Sequence, residues 1–196
     1  MEMKHIGRKL YHVFGGIGLL SLYYILGREP ALMFYAAFFL IALGLDLTRL
    51  KIPAVNQFIF TRFGSFLRKN EEHKLTGTAP YILGIGLSLY AYSPEVATAA
   101  VCFLAFGDVA ATTMGERYGK TKIGDKSLEG SAAFIIAALV SGLFLQIIGV
   151  YLATGVMILG AFIAAGVEII PLPVNDNLVI PIVAGGVMEL TVRLIR

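Results

Sequence analysis

One stretch of the sequence combines an isolated acidic residue with a loop of glycines and lysines. Asp108 lies inside an otherwise apolar segment, and the loop that follows leads into a new apolar segment after Ser127. The loop contains Gly115, Gly119, Gly124, Lys120, Lys122 and Lys126. Glycine-rich turns beside a helix start offer close backbone approach, N–H donors and positive charge, as a polyphosphate requires. A carboxylate inside an apolar span is costly, and a residue of this kind usually has a function. The stretch therefore predicts phosphate chemistry at a membrane surface.

Two carboxylates in the chain are candidates for a magnesium site. Mg²⁺ takes one or two carboxylates together with substrate phosphates and waters. Asp108 is a candidate metal ligand or catalytic base, and Asp176 is a candidate second ligand. Each also has a structural interpretation: a lysine can neutralise Asp108, and Asp176 can cap a helix.

The glycine and lysine loop also has a simpler explanation as an ordinary cytoplasmic loop rich in positive charge. Ser127 is positioned to cap a helix that begins near Leu128, and Glu129 then lies in its first turn, where the helix dipole favours a carboxylate. The same helix N-terminus is suited to face a phosphate. Composition alone does not decide between an ordinary basic loop and a phosphate-binding loop.

The overall composition predicts an integral membrane protein. Of the 196 residues, 57% are hydrophobic and 15% are charged, whereas soluble domains carry about 25% charged residues. The net charge of +3 follows the positive-inside rule, because 13 of the 16 basic residues lie in three regions at 1–9, 49–75 and 117–126. No nucleic-acid-binding motif is present, so no nucleic-acid partner is expected. The single cysteine, Cys102, excludes a disulfide framework.

Seven apolar segments are long enough to suggest membrane helices. They are residues 10–27, 31–48, 76–92, 95–116, 129–148, 152–170 and 178–195. The short links between several of them predict antiparallel neighbours in one all-α membrane bundle, a single domain over 1–196. Residues 54–68 carry apolar side chains at helical spacing interrupted by arginines, which indicates an interfacial amphipathic helix. The first segment follows a basic flank but lacks a cleavage site, so we expect a retained helix and not a signal peptide.

An N-terminus on the cytoplasmic side makes the polar residues of these segments converge on one face. The converging residues are Arg8, Lys9, His12, Asp46, Arg49, residues 70–77, Asp108, Glu116, Glu168 and residues 175–177. This convergence predicts one shared site at the cytoplasmic membrane face. The histidines have no metal-ligand spacing, and no hydrolase motif is present.

Four blocks of these residues resemble the CTP-dependent polyprenol kinase family, which includes dolichol kinase, phytol kinase and the CTP-dependent diacylglycerol kinase. The blocks are Arg8 to His12; Glu72 to Gly77; Gly107-Asp108 through Gly115 to the run Lys126-Ser127-Leu128-Glu129-Gly130-Ser131; and Glu168 with Asp176-Asn177-Leu178 and Pro181. They keep their order over most of the chain, and the third is specific. The one departure is Asp46 before Arg49, where a glutamate is expected; aspartate keeps the charge.

The resemblance implies transfer of the γ-phosphoryl group of CTP to the hydroxyl of a lipid alcohol such as dolichol or another polyprenol, phytol, geranylgeraniol or diacylglycerol. It carries essential roles onto Arg8, Lys9, Asp108 and Gly115. We expect a Mg²⁺ cofactor held by Asp108, Asp176 and Asn177. Catalytic roles fall on Asp108, Asp176 and Glu129, the last orienting the metal or accepting the hydroxyl proton. The nucleotide-binding residues would be Arg8, Lys9, Gly115, Gly119, Lys120, Lys126 and Ser127. Phosphoryl transfer relies on such positioning and charge neutralisation.

Two other functions are compatible with these residues. A cytidylyltransferase that makes a CDP-lipid would share CTP, Mg²⁺ and the lipid, but would release pyrophosphate. A small ion-coupled transporter would use an intramembrane carboxylate, although it predicts inverted repeats, which are not seen. The expected location is the cell membrane of a prokaryote or the endoplasmic reticulum membrane, with a homo-oligomer possible.

Overall fold

A computed structural model describes residues 6–67 and 69–195, and these form a helical bundle with one small hairpin. The helices are α1 (Ile6–Leu26), α2 (Arg28–Lys51), α3 (Pro53–Phe63), α4 (Thr78–Ala91), α5 (Pro94–Tyr118), α6 (Leu128–Ile147), α7 (Thr154–Ile169) and α8 (Asp176–Ile195). Two short 3₁₀ helices, Gly64–Phe66 and Lys69–His73, lie between α3 and α4. Strands β1 (Lys122–Ile123) and β2 (Lys126–Ser127) pair antiparallel between α5 and α6. The all-α prediction is confirmed.

Five of the described helices are long and apolar enough to cross a membrane: α1, α2, α5, α6 and α8. The apolar helices α4 and α7 coincide with the predicted segments 76–92 and 152–170, but they contain 14 and 16 residues. A straight crossing needs about 20 residues. The chain is thus an integral membrane protein with five candidate spans, and the predicted number of seven is not confirmed. The reason is that α4 and α7 begin only at Thr78 and Thr154, after non-helical turns.

The predicted amphipathic segment 54–68 forms α3 and the 3₁₀ turn that follows it. Pro53 occupies the first turn of α3, where its missing N–H costs no hydrogen bond. Phe58 and Phe63 are 59% and 52% exposed, so these two aromatic side chains of α3 lie on the protein surface. Arg68 lies outside the described residues. The interfacial position of this segment remains a prediction.

Helix α5 is the centre of the bundle, and every residue from 96 to 105 is buried. It packs closely against α6 because Gly107 leaves room for the ring of Phe134; a Cβ atom on Gly107 would lie 2.6 Å from that ring. Small residues that let helices approach closely are typical of membrane bundles. This packing fixes the position of the neighbouring Asp108.

The hairpin between α5 and α6 sets the direction of the loop side chains. Gly124 at its turn has a φ of +60°, a conformation that glycine adopts without strain. Lys122 pairs with Ser127 across the two strands, and the N–H of Leu128 donates to the carbonyl of Thr121 over 3.0 Å. The loop is thereby folded back on the N-terminus of α6.

Candidate active site

A polar cavity of about 220 Å³ lies where α1, α6 and α8 begin and α5 and α7 end. Its lining residues are Arg8, Asp108, Ala111, Thr112, Gly115, Glu116, Lys122, Asp125, Lys126, Ser127, Gly130, Glu168 and Asp176. The convergence expected from the sequence therefore brings Arg8, Asp108, Gly115, Lys126, Ser127 and Asp176 to one cavity. Its lining combines cationic side chains, which bind phosphates, with carboxylates, which bind a hard cation.

Asp108 is the most buried of the three predicted catalytic carboxylates. Its Oδ2 lies 3.6 Å from Nδ1 of His12, and both residues are buried, with exposed fractions of 6% and 4%. Tyr81 fixes this part of α1, because its hydroxyl donates to the main-chain carbonyl of His12 over 2.5 Å and its ring lies 4.8 Å from the imidazole. The buried carboxylate and imidazole therefore face each other between α5 and α1.

Lys126 connects the loop to the ends of α7 and α8. Its Nζ lies 2.7 Å from Oδ2 of Asp176 and 3.7 Å from Oε1 of Glu168, and it also donates to the main-chain carbonyl of Glu168. The hydroxyl of Ser131 donates to Oε2 of Glu168 over 3.1 Å. One lysine thus lies between two carboxylates on the cavity wall.

The predicted phosphate-binding cations of α1 have different surroundings. Lys9 is buried, and its Nζ lies 2.8 Å from Oε2 of Glu116, which ties α1 to the end of α5. Arg8 lines the polar cavity and also a small adjoining crevice formed by residues that include Glu71, Thr76 and Asn177. Arg8 is therefore the cation that the two polar spaces share.

The predicted nucleotide-binding glycines are close-packing positions around Ser127. A Cβ atom on Gly115 would lie 3.1 Å from Oγ of Ser127, and one on Gly119 would lie 2.7 Å from it. The N–H of Gly119 already donates to the carbonyl of Gly115. As expected, Ser127 caps α6, since its Oγ accepts from the N–H of Gly130 over 3.1 Å. Gly115 and Ser127 line the cavity; among the described lining residues Gly119 is not found.

Three other predicted residues lie beside the cavity and not on its described walls. Lys120 is exposed. Glu129 accepts from the N–H of Thr121, with its two oxygens 3.1 and 3.2 Å away, and so closes the loop onto α6. Asn177 is buried and donates from Nδ2 to the carbonyl of Gly77 over 3.1 Å, joining α8 to the start of α4.

A buried arginine holds the segment 71–77 next to this site. The guanidinium of Arg49 donates to Oδ1 of Asp46 and to the main-chain carbonyls of Glu71 and Lys74, over 2.7, 3.0 and 2.5 Å. The second oxygen of Asp46 accepts from the N–H and the hydroxyl of Thr76, both at 2.8 Å. Asp46 and Arg49 thus form a clamp that holds the segment before α4 against α2.

Four charged residues of the cavity were given no catalytic, metal-binding or nucleotide-binding role from the sequence: Glu116, Lys122, Asp125 and Glu168. Glu168 had a signal, since it belongs to the block that contains Asp176. Glu116 and Lys122 lie within the glycine and lysine stretch, but a linear pattern does not show which of its side chains point to the same space.

The donor set of the cavity fits Mg²⁺ that is completed by substrate. Within the described residues, no group of three or more histidine, cysteine, aspartate or glutamate side chains is close enough to hold a metal. Mg²⁺ usually takes one or two carboxylates and fills the rest of its shell with phosphates and water. Asp108, Asp176 and Glu168 supply carboxylate oxygens of that kind to one cavity.

Comparison with curated proteins identifies three fungal relatives, each named CTP-dependent diacylglycerol kinase 1. The protein of Saccharomyces cerevisiae is 35% identical over 149 residues, covering 72% of this chain and 51% of the relative. That of Eremothecium gossypii is 34% identical over 148 residues, covering 72% and 46%. That of Schizosaccharomyces pombe is 28% identical over 168 residues, covering 74% and 73%.

The chain spans about half the length of the first two relatives. No family model matches the chain, and no solved structure matches it. The resemblance indicated by the four sequence blocks is confirmed by these relatives, and the chain belongs to the family of CTP-dependent polyprenol and lipid kinases.

Proposed function

We propose that this protein transfers the γ-phosphoryl group of CTP to the hydroxyl of a membrane lipid alcohol. The observation that carries the proposal is the polar cavity in which Asp108, Asp176 and Glu168 lie with Arg8, Lys122 and Lys126 at one end of the bundle. CTP as donor follows from the names of the three relatives. Among the acceptors considered, those names favour diacylglycerol over dolichol and phytol.

The cations of the cavity neutralise the phosphates of the nucleotide. Arg8 on α1 and Lys122 and Lys126 on the hairpin approach the cavity from two sides. Phosphoryl transfer is accelerated mainly by positioning and by stabilising charge on the phosphoryl oxygens. A bound Mg²⁺ would be held by Asp108 and Asp176, and would supply further charge neutralisation there.

Asp108 accepts the proton of the attacking hydroxyl in this proposal. As the lipid oxygen bonds to the γ-phosphorus, the bond between that phosphorus and the β–γ bridging oxygen breaks, and CDP leaves. The hydroxyl proton passes to the carboxylate of Asp108, whose Oδ2 lies 3.6 Å from Nδ1 of His12. The cavity faces the cytoplasm, where CTP is found, in agreement with the positive-inside distribution of lysine and arginine.

The Asp108→Asn variant tests the proposal. Purified protein in phospholipid nanodiscs is incubated with Mg²⁺, CTP labelled in the γ-phosphate and diacylglycerol or a polyprenol. Wild type should form the labelled lipid phosphate and CDP, and Asp108→Asn should lose at least about 10²-fold in rate while keeping its thermal unfolding midpoint. Glu95→Gln, at the opposite end of the same helix, is the control. Normal turnover by Asp108→Asn, or release of pyrophosphate with a CDP-lipid, would contradict the proposal.

A further inference from the structure

A large apolar groove follows α5 on the face next to the polar cavity. Its volume is about 900 Å³, and α1, α5 and α6 form its walls. On α5 the groove extends from Thr98 to Met114, about 24 Å of helix at roughly 1.5 Å per residue. This is most of the ~30 Å thickness of the bilayer hydrocarbon. The groove is therefore long enough to hold an extended hydrocarbon chain.

Two side-chain contacts hold α1 and α5 together at opposite ends of this groove. At the end remote from the cavity, the hydroxyls of Tyr24 and Thr98 are hydrogen-bonded over 2.8 Å. At the cavity end, Nζ of Lys9 lies 2.8 Å from Oε2 of Glu116. Because both contacts join the same two helices, the groove between them is preformed in the bundle.

Three hydroxyl groups in the groove wall donate to carbonyls of their own helices. Thr98 donates to the carbonyl of Pro94, Thr113 to that of Val109 and Ser141 to that of Ala138, over 2.6, 2.6 and 2.8 Å. These groups therefore do not provide the wall with donors for a column of water or ions. The wall is suited to hydrocarbon.

The groove opens toward the membrane between α1 and α6. Ile25 on α1 is 77% exposed, Val140 and Phe144 on α6 are 61% and 59% exposed, and Ile148 just after α6 is 57% exposed. Large apolar side chains exposed on helices of membrane-spanning length contact lipid tails. A hydrocarbon chain can thus enter sideways from the bilayer.

Groove and cavity meet along one edge of α5. Asp108 and Thr112 line the cavity, whereas the residues that follow them, Val109 and Thr113, line the groove. Successive residues of a helix are about 100° apart, so the two spaces lie on adjacent faces. A lipid whose tail lies in the groove places its head beside Asp108.

The cavity end of the groove carries hydrogen-bond acceptors. Glu116, with 37% of its side chain exposed, and Asp108 line the cavity beside the groove. A lipid whose headgroup ends in a hydroxyl offers a donor that such carboxylate oxygens accept.

We infer that this groove binds the hydrocarbon chains of the acceptor lipid, a lipid alcohol, and limits the chain length that is accepted. The inference rests on the proposed function and adds the tail site and the entry path. Ala110 on α5 and Ala137 on α6 are small wall residues. Ala137 lies six positions after Ser131, about 9 Å further along α6, so a large side chain there would shorten the groove while leaving its cavity end open.

Ala137→Phe tests this with two acceptors that differ in chain length. In nanodiscs, the KM for dioleoylglycerol should rise at least about tenfold, while the KM for dioctanoylglycerol and the kcat with it stay within about twofold. Ala37→Phe, on the exposed face of α2, is the matched control and should leave both acceptors unchanged. Equal effects of Ala137→Phe and Ala37→Phe, or equal effects on both lipids, would overturn the inference.

A photo-crosslinking measurement keeps the inference testable without turnover. Dioleoylglycerol that carries a diazirine in one acyl chain should label groove residues of α1, α5 and α6 in wild type, and Ala110→Leu should reduce that labelling. Labelling confined to other helices would overturn the groove assignment. If wild type is labelled in the groove but phosphorylates neither lipid, the proposed kinase activity fails while the tail site stands.

Discussion

Nζ of Lys126 lies 2.7 Å from Oδ2 of Asp176, a contact between residues 50 positions apart in the chain. It holds the end of the hairpin against the first turn of α8. The same Nζ lies 3.7 Å from Oε1 of Glu168. This lysine stabilises two carboxylates that would otherwise repel each other, and a polyphosphate in the cavity would have to compete for it.

Lys126→Gln should impair the reaction far more than the same change at Lys120. Removing Lys126 takes one cation from the phosphates and leaves Asp176 and Glu168 to repel them, so kcat/KM for CTP should fall by about 10²–10³. Lys120 is exposed and belongs to the same loop, so Lys120→Gln should change kcat/KM by about twofold at most. Steady-state kinetics with varied CTP compares the two. Similar losses in both variants would mean that general loop charge, and not this lysine, binds the nucleotide.

Arg49→Met should destabilise the fold through the segment 71–77. Arg49 is 1% exposed, and losing it leaves the buried carboxylate of Asp46 and two main-chain carbonyls without this donor. Removing one partner of a buried ion pair typically lowers the free energy of unfolding by about 3–5 kcal/mol. Equilibrium unfolding in detergent micelles measures the change, and hydrogen exchange should show loss of protection around Thr76.

The control for that variant is Arg62→Met. Arg62 is exposed near the end of α3, so the substitution should change the free energy of unfolding by no more than about 0.5 kcal/mol. If Arg49→Met is as mild as Arg62→Met, the clamp does not hold the segment in solution.

The positions of the helices could be predicted from the sequence, because each helix corresponds to a local run of apolar residues. All seven predicted apolar segments coincide with a helix. The lengths of α4 and α7 were not predictable, since hydropathy alone does not show that Gly77 and Ala153 precede the first helical residues. Apolar runs continue through such turns.

The site was predictable as a region but not as a set of contacts. Topology brings the ends of the helices together, so Arg8, Asp108 and Asp176 are found at one cavity. Whether Lys120 or Lys126 faces that cavity depends on the register of a two-residue hairpin, which the sequence does not specify. The contact of Lys9 with Glu116 joins residues 107 positions apart, and no local pattern indicates such a pair.

Gly107→Ala should disturb the site through packing, although it changes no charge. Its new Cβ would lie 2.6 Å from the ring of Phe134, which is fully buried and cannot easily move. Overpacking of this kind costs about 1–3 kcal/mol, and relief of the clash would displace the adjacent Asp108. Both the unfolding midpoint and the rate of lipid phosphorylation should therefore fall.

The contrast with Gly18 separates this clash from the general effect of alanine in a helix. A Cβ on Gly18 has no described atom within 4 Å apart from its own helix and chain neighbours, so Gly18→Ala should stabilise α1 by about 0.5–1 kcal/mol. Phe134→Leu combined with Gly107→Ala should recover stability, because the smaller side chain makes room for the added methyl group. A double-mutant cycle on wild type, the two single variants and the double variant measures this coupling. Additive changes in the free energy of unfolding would show that Gly107 and Phe134 do not constrain each other. Asp108 would then owe its position to other contacts.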